Sequence, residues 1–257
     1  MIKYRMPDLI GDSLYTEPAI RAKAKTLGEP VGIFCRDYLK PLFDQREDLV
    51  LLGSWPVEDD PPEGYDAQFS PLEALYYLRK DNLHFTQAFF SQVGLNYKKY
   101  KKECKPIIGG ILPSVYIETE GDFICIAPFS HSCSSHTGQP ANKTAPVSYW
   151  ENLVEKLPLP VVSLGALGEP PIKGTENIRG ANLRNVASII NTCELYIGGD
   201  TGLTCIAGCV NSKIILLNSA IPLFAISPQT YSMFKEVYAP QPLWDQKTIL
   251  KYVGQML

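Results

Sequence analysis

Apolar and polar positions fall in blocks along the chain, and the blocks read as strands alternating with helices. Ile2–Met6 and Val31–Cys35 are short apolar runs of the kind that form buried strands. Ser13–Thr26 between them has a helical pattern, and a second helix is expected after Cys35, up to about residue 53. The first strand and helix are joined by Pro7-Asp8-Leu9-Ile10-Gly11-Asp12. An aspartate between a strand end and a helix start lies at the mouth of an α/β crevice. The same position suits a plain helix N-cap, and the pattern leaves both readings open.

Pro56, Pro61, Pro62, Gly64 and Pro71 make residues 54–71 a loop. Leu72–Gly94 then reads as one helix, in which His84 is expected to be a surface or capping histidine ahead of Phe85, Phe89, Phe90 and Val93. Five lysines in Asn96–Lys105, with Tyr97 and Tyr100 between them, fit a solvated helix face better than a basic patch for an acceptor. Pro106–Gly121, with three glycines and two prolines, is the expected boundary between domains 1–112 and 113–257.

The second half repeats the alternation. Strands are expected at Phe123–Ala127 and Pro160–Leu164, a short extended piece at Ile178–Gly180, and a further strand at Lys213–Leu217. A helix is expected at Ser148–Leu157, where Ser148 and Glu151 have capping-box spacing. Another is expected at Leu183–Thr192, capped by Asn182, and Asp245–Leu257 reads as an amphipathic terminal helix that packs back toward the first domain. The most informative stretch is Ile197–Gly208. A short apolar strand ending at Ile197 meets Gly198-Gly199-Asp200-Thr201-Gly202, and Leu203, Ile206, Ala207 and Val210 follow at helical spacing, with Thr201 as the expected cap. Such a turn aims unpaired N–H groups at one spot, where a phosphate binds without a cationic side chain. An ordinary strand-to-helix turn has the same pattern.

Composition narrows the classes. The 257 residues are 45% hydrophobic and 20% charged, which describes a core-forming chain long enough for two small α/β domains. A net charge of −3 sets up no field that favours nucleic acid or anionic membrane. No apolar run has the length of a membrane span, the N-terminus does not open like a signal peptide, and seven irregularly spaced cysteines fit reduced thiols. A cytoplasmic location is expected.

With both halves laid out, the chain resembles the bacterial ADP-heptose:lipopolysaccharide heptosyltransferases. Gly11-Asp12-Ser13-Leu14-Tyr15-Thr16-Glu17-Pro18 is similar to that family's Gly-Asp-x-x-x-x-x-Pro opening. Lys143-Thr144-Ala145-Pro146 followed by Tyr149-Trp150 is similar to its Lys-x-Trp-Pro motif, and Asp200-Thr201-Gly202-Leu203-Thr204 to its Asp-Thr/Ser-Gly-x-x-His. Two positions depart: Cys205 stands where the family has histidine, and Ala145 where it has tryptophan. The resemblance implies a GT-B α/β fold, two Rossmann-like domains whose parallel sheets face each other across a cleft, a compact acceptor domain first and a nucleotide-sugar donor domain second. It implies an inverting, metal-independent transfer of a sugar from a nucleoside-diphosphate sugar to an acceptor hydroxyl, with no cofactor.

By the same resemblance Asp12 is the general base and Lys143 offsets charge on the leaving diphosphate. The donor side is expected to include Gly199, Asp200, Thr201, Gly202 and Leu203, with Ser130 and His131 nearby. Glu169 is expected to accept hydrogen bonds from a ribose, and the base to lie against Gly180–Leu183. His131, Cys133 and His136 fit cleft-lining residues better than a metal site with Cys205 or Cys209, because their spacing matches no zinc pattern. Cys205 and Cys209 are expected to be packing residues. The acceptor implied is a saccharide or lipopolysaccharide. Rival readings are a glycosyltransferase acting on a base of viral DNA, a sugar-nucleotide epimerase of the same architecture, and a non-catalytic nucleotide-sugar binder.

Overall fold

The computed structural model describes residues 1–56, 59, 63–81, 83–99, 105–110, 112–130, 144–210, 213–219, 234–239 and 243–257. Two compact units divide the chain, the first taking Met1–Ile111 and the second beginning at Leu112.

The first unit runs β1 (Lys3–Arg5), α1 (Ile10–Leu27), β2 (Val31–Arg36), α2 (Lys40–Phe43), β3 (Leu49–Trp55), β4 (Ala67–Gln68), α3 (Pro71–Asp81) and α4 (Phe85–Gln92). Among the described residues its strands form one parallel sheet in the order β3-β2-β1-β4. The chain winds from β1 outward through β2 to β3 and then returns to the other side of β1. The winding therefore reverses between β1 and β4, which opens a crevice at the carboxyl end of β1.

Helix α1 follows directly from that end. It starts three residues before the expected Ser13, with Leu9 at its N-cap and no side-chain cap bond. Asp12 thus lies in the first turn and is not the capping residue. Ten of its 18 residues are buried, so the helix is enclosed on several sides rather than along one stripe. One of them is Glu17, a carboxylate with 0% exposure. It accepts from Arg21 Nε at 2.9 Å, from Arg46 Nη1 at 2.6 Å and from the Ile107 N–H at 3.0 Å. Arg46 in turn holds Asp48 and the Ile107 carbonyl, and Arg21 donates to the Lys105 carbonyl. A buried charge persists only when paired and hydrogen-bonded, and this group ties α1 to the segment around residue 107.

Three expectations for this half are corrected. The second helix is only α2, and residues 49–55 form a strand rather than the end of a helix. The proline-rich loop is interrupted by β4. The helix expected over Leu72–Gly94 is two helices, because His84 starts a new one: its Nδ1 accepts from the Thr86 N–H at 3.1 Å while Gln87 Oε1 accepts from the His84 N–H at 3.1 Å. His84 is a capping residue, and at 8% exposure it is not a surface one. Lys101 and Lys102 of the lysine run lie outside the described residues; Lys98 and Lys99 belong to a single 3-10 turn.

The second unit runs β5 (Ile124–Ala127), α5 (Val147–Val154), β6 (Val161–Gly165), β7 (Glu176–Arg179), α6 (Leu183–Thr192), β8 (Leu195–Gly199), α7 (Gly202–Cys209), β9 (Ile214–Asn218), β10 (Phe234–Tyr238) and α8 (Gln246–Met256). Its described strands form one parallel sheet, β10-β9-β8-β5-β6-β7. Every residue of β5, β8 and β9 is buried, as expected for parallel strands covered on both faces. The core gathers Ile124, Ile126, Leu195, Ile197, Ile215 and Leu217 with Trp150 and Trp244. The apolar face of α8, Ile249, Val253 and Met256, packs into this same core. Asn182 caps α6 as expected, accepting from the Asn185 N–H at 2.9 Å. The box expected from Ser148 and Glu151 does not form, because α5 begins one residue earlier with Pro146 at the N-cap.

Glu17→Ala is expected to destabilise the protein by about 3–5 kcal/mol, the usual cost of stranding one partner of a buried ion pair. Urea unfolding monitored on the first unit checks this, and a loss below about 1 kcal/mol, the scale of a surface ion pair, contradicts it.

Candidate functional site

The second sheet reverses its winding between β5 and β8. From β5 the chain goes outward through β6 to β7, then crosses to β8 and outward again to β10. The two strands are paired in register, with Ala127 opposite Gly198. Their carboxyl ends therefore form the crevice in which doubly wound sheets bind ligands. Two stretches meet at this edge, the residues after β5 and the β8–α7 turn.

The turn is Gly199-Asp200-Thr201-Gly202-Leu203. Thr201 is the N-cap by backbone conformation, but its side chain makes no cap bond, contrary to expectation; its buried hydroxyl lies beside that of Tyr196. Thr204 N and Cys205 N bond the Thr201 carbonyl at 3.1 and 3.3 Å. Among the described residues no backbone carbonyl accepts from the N–H groups of Gly202 or Leu203. They are half-buried at the positive end of an eight-residue helix, an arrangement that suits an anion. Asp200 is half-buried beside them.

After β5 the chain reaches Ser130, whose N–H donates to Thr144 Oγ1 at 3.1 Å. The residues on either side of 131–143 are thus tied together near the end of β5. Lys143, His131, Cys133 and His136 themselves lie outside the described residues. Among the described residues no group of three His, Cys, Asp or Glu side chains is arranged to hold a metal ion. Cys205 and Cys209 are half-buried, and Cys209 Sγ donates to the Cys205 carbonyl at 3.2 Å, consistent with packing on α7.

Glu169 follows β6 on the same edge. Its carboxylate lies against Gly165 and is electrostatically coupled to Arg179 at the end of β7. Arg179 is fixed by bonds to the Ser163 carbonyl at 2.7 Å, the Pro170 carbonyl at 3.0 Å and Asn177 Oδ1 at 3.1 Å. Burial lowers the Arg179 pKa, with Glu169 acting in the opposite direction. The sequence offered Glu169 as a ribose ligand without this partner, since a strand-end arginine carries no local signature.

On the first sheet Asp12 is half-buried in the first turn of α1, at the crevice beside β1. Beside it stands a cluster that sequence reasoning missed. Asp8 accepts from Arg36 Nε at 3.1 Å and pairs with Arg5 at 3.5 Å. Both guanidinium groups lie over the Trp55 ring, at 5.5 Å for Arg5 and 5.0 Å for Arg36. Tyr38 donates its hydroxyl to the Asp8 carbonyl. Burial, reinforced by Asp8 and more weakly by Asp12, pushes the Tyr38 phenol up to about 12. The cluster braces the β1–α1 connection just ahead of the helical turn that carries Asp12.

Two all-parallel sheets, each with its helices and each with candidate residues at its own switch point, define the GT-B type of fold. The chain shares that fold with heptosyltransferases. Escherichia coli ADP-heptose lipopolysaccharide heptosyltransferase II is similar at a TM-score of 0.71 and 12% identity, covering 99% of this chain and 98% of that one. A glycosyl transferase family 9 protein from Veillonella parvula is similar at 0.69 and 10% identity, over 99% and 96% of the two chains. The E. coli heptosyltransferase WaaC, solved with ADP, is similar at 0.64 and 11%, over 100% and 99%. No protein-family model and no curated protein sequence matches the chain. The fold anticipated from three short motifs is therefore the fold observed.

Gly198 has no room for a side chain: a Cβ there would overlap the Tyr196 hydroxyl and lie 2.8 Å from two carbons of its ring. Gly198→Ala is expected to cost about 1–3 kcal/mol, the scale of overpacking a filled core. Thermal unfolding measures it, and an unchanged melting temperature contradicts this packing.

Proposed function

We propose that the protein is an inverting, metal-independent glycosyltransferase that moves a sugar from a nucleoside-diphosphate sugar to an acceptor hydroxyl. An ADP-linked heptose is the first donor to test. One observation carries the reading. In a chain that aligns end to end with heptosyltransferases, the candidate base and the candidate phosphate site each occupy the switch point of a separate parallel sheet.

In this reading Asp12 takes the acceptor proton as the acceptor oxygen attacks the anomeric carbon. The bond from that carbon to the diphosphate oxygen breaks on the opposite face, so one displacement inverts the centre. Negative charge grows on the departing phosphate, and the N–H groups of Gly202 and Leu203 stabilise it together with Lys143. Glu169, steadied by Arg179, holds the donor ribose. The acceptor binds near the Asp8–Arg36–Trp55 cluster, in whose neighbourhood Asp12 lies.

Asp12→Asn is expected to lower transfer by roughly 10²–10⁴-fold while leaving donor affinity nearly unchanged, because an amide fills the space but takes no proton. Leu9 holds the cap position, so loss of a helix cap does not account for such a fall. Lys143→Ala is expected to weaken donor binding and turnover together, since its charge meets the diphosphate in ground and transition states alike. Activity is expected to survive EDTA. Steady-state rates and donor titrations read all three; a fully active Asp12→Asn removes Asp12 as the base.

ADP is expected to raise the melting temperature in a concentration-dependent way, by about 2.7 kcal/mol of stabilisation at one hundred times its dissociation constant. Gly202→Leu is expected to abolish the shift by blocking the helix start. A Gly202→Leu protein stabilised as strongly as the native one moves the donor site elsewhere.

A further inference from the structure

The β8–α7 turn rests on a buried polar chain that none of the assigned roles uses. Tyr196, on β8, has 0% exposure, and its hydroxyl lies 3.1 Å from Thr204 Oγ1. Thr204, at 3% exposure in the first turn of α7, has its Oγ1 2.5 Å from the Gly199 carbonyl. A carbonyl oxygen only accepts, so the single Thr204 proton goes to Gly199 and the Tyr196 proton goes to Thr204. The order of donation is therefore Tyr196 to Thr204 to Gly199. Burial raises the Tyr196 phenol, which keeps it protonated and able to start the chain.

The end of this relay is the last carbonyl of β8. The described peptide bonds are trans, and in a trans peptide the C=O and N–H point in opposite directions. Holding the Gly199 carbonyl toward Thr204 therefore turns the Asp200 N–H away from Thr204. Beyond the Thr201 N–H come those of Gly202 and Leu203, which have no backbone acceptor among the described residues. Donors that stabilise growing charge are effective when they need no reorientation as it develops. A hydroxyl relay sealed from water is a strong restraint, because water cannot replace a lost link. Gly198 belongs to the same device, since the Tyr196 ring fills the space a side chain there would need.

We propose that Tyr196 and Thr204 are positioning residues: their buried relay locks the Gly199–Asp200 peptide, and so orients the turn's N–H groups for the diphosphate of the donor. The inference rests on the donor reading given above for the purpose of the turn, but its geometry does not.

Three variants of the full chain test it, Tyr196→Phe, Thr204→Val and Thr204→Ser, each read two ways. The first reading is amide hydrogen exchange across residues 199–204 without ligand. Tyr196→Phe and Thr204→Val are expected to speed exchange there by about fivefold to tenfold, the scale of one buried hydrogen bond, with α6 and β9 unchanged. Thr204→Ser keeps the hydroxyl and is expected to behave like the native protein. The second reading is ADP affinity, expected to fall by a similar factor in the Phe and Val variants and to be restored in Ser. Unchanged exchange at the turn overturns the relay, as does an equal rise across α6 and β9, or a Ser variant that behaves like Val. A loosened turn with native ADP affinity overturns the orienting role. If the native protein binds no nucleoside diphosphate while the turn still loosens in Phe and Val, the donor reading falls and the relay stands.

Discussion

Parallel strands cannot be joined by tight turns, so every strand in such a sheet leaves it at the same edge. That constraint organises this molecule. The interiors of β5, β8 and β9 are wholly buried, leaving only their ends to meet a ligand. Strand order then selects among the ends. In the first sheet the winding reverses beside β1, and in the second between β5 and β8. Asp12 follows the first of these strands, and Gly199–Leu203 follows the last. The chemistry of the chain is concentrated where the topology leaves a gap.

Polar groups buried behind those edges hold the turns in shape. Glu17 is enclosed five residues after Asp12, and its bonds to Arg46 and to the Ile107 N–H fix the helix on which Asp12 stands. Tyr196 and Thr204 do for the second turn what Asp8, Arg36 and Trp55 do for the first. The two devices differ with their surroundings. The relay is neutral and sealed, whereas the first-sheet cluster is charged, with Asp8 and Arg36 half-buried and Arg36 over the ring of the buried Trp55. A charged pair at a partly open edge avoids most of the desolvation cost that a buried one carries.

Where several local signals agreed, the sequence was legible nearly to the residue. Leu183–Thr192 has a helical apolar period and an asparagine at its start, and both are realised in α6. The strand and glycine turn around Ile197 were legible for the same reason. Edge strands were less so, β7 being legible only at its end. In β3 the middle residues are neither sealed nor open, so no two-residue alternation marks it, and β10 escaped notice altogether. Capping was legible only in part: Asn182 caps as its type suggests, but Ser148 and Thr201 do not, because a neighbouring residue starts one helix and the other hydroxyl is buried without a cap bond.

What the sequence determined by itself is the succession of elements and the chemistry carried on each turn. Periodicity and turn residues report how each position meets water and how the chain bends, and those properties are local. Which turns fall at a switch point was decided only by strand order. Tertiary structure also chose the partners: Arg36 for Asp8, Arg179 for Glu169, Arg46 for Glu17. Each of these pairs joins residues on different strands, helices or loops, and the attraction between them exists only after packing has fixed both in place. Even Tyr196 and Thr204, eight residues apart, meet because β8 and α7 fold back on one another, a geometry no period in the sequence expresses.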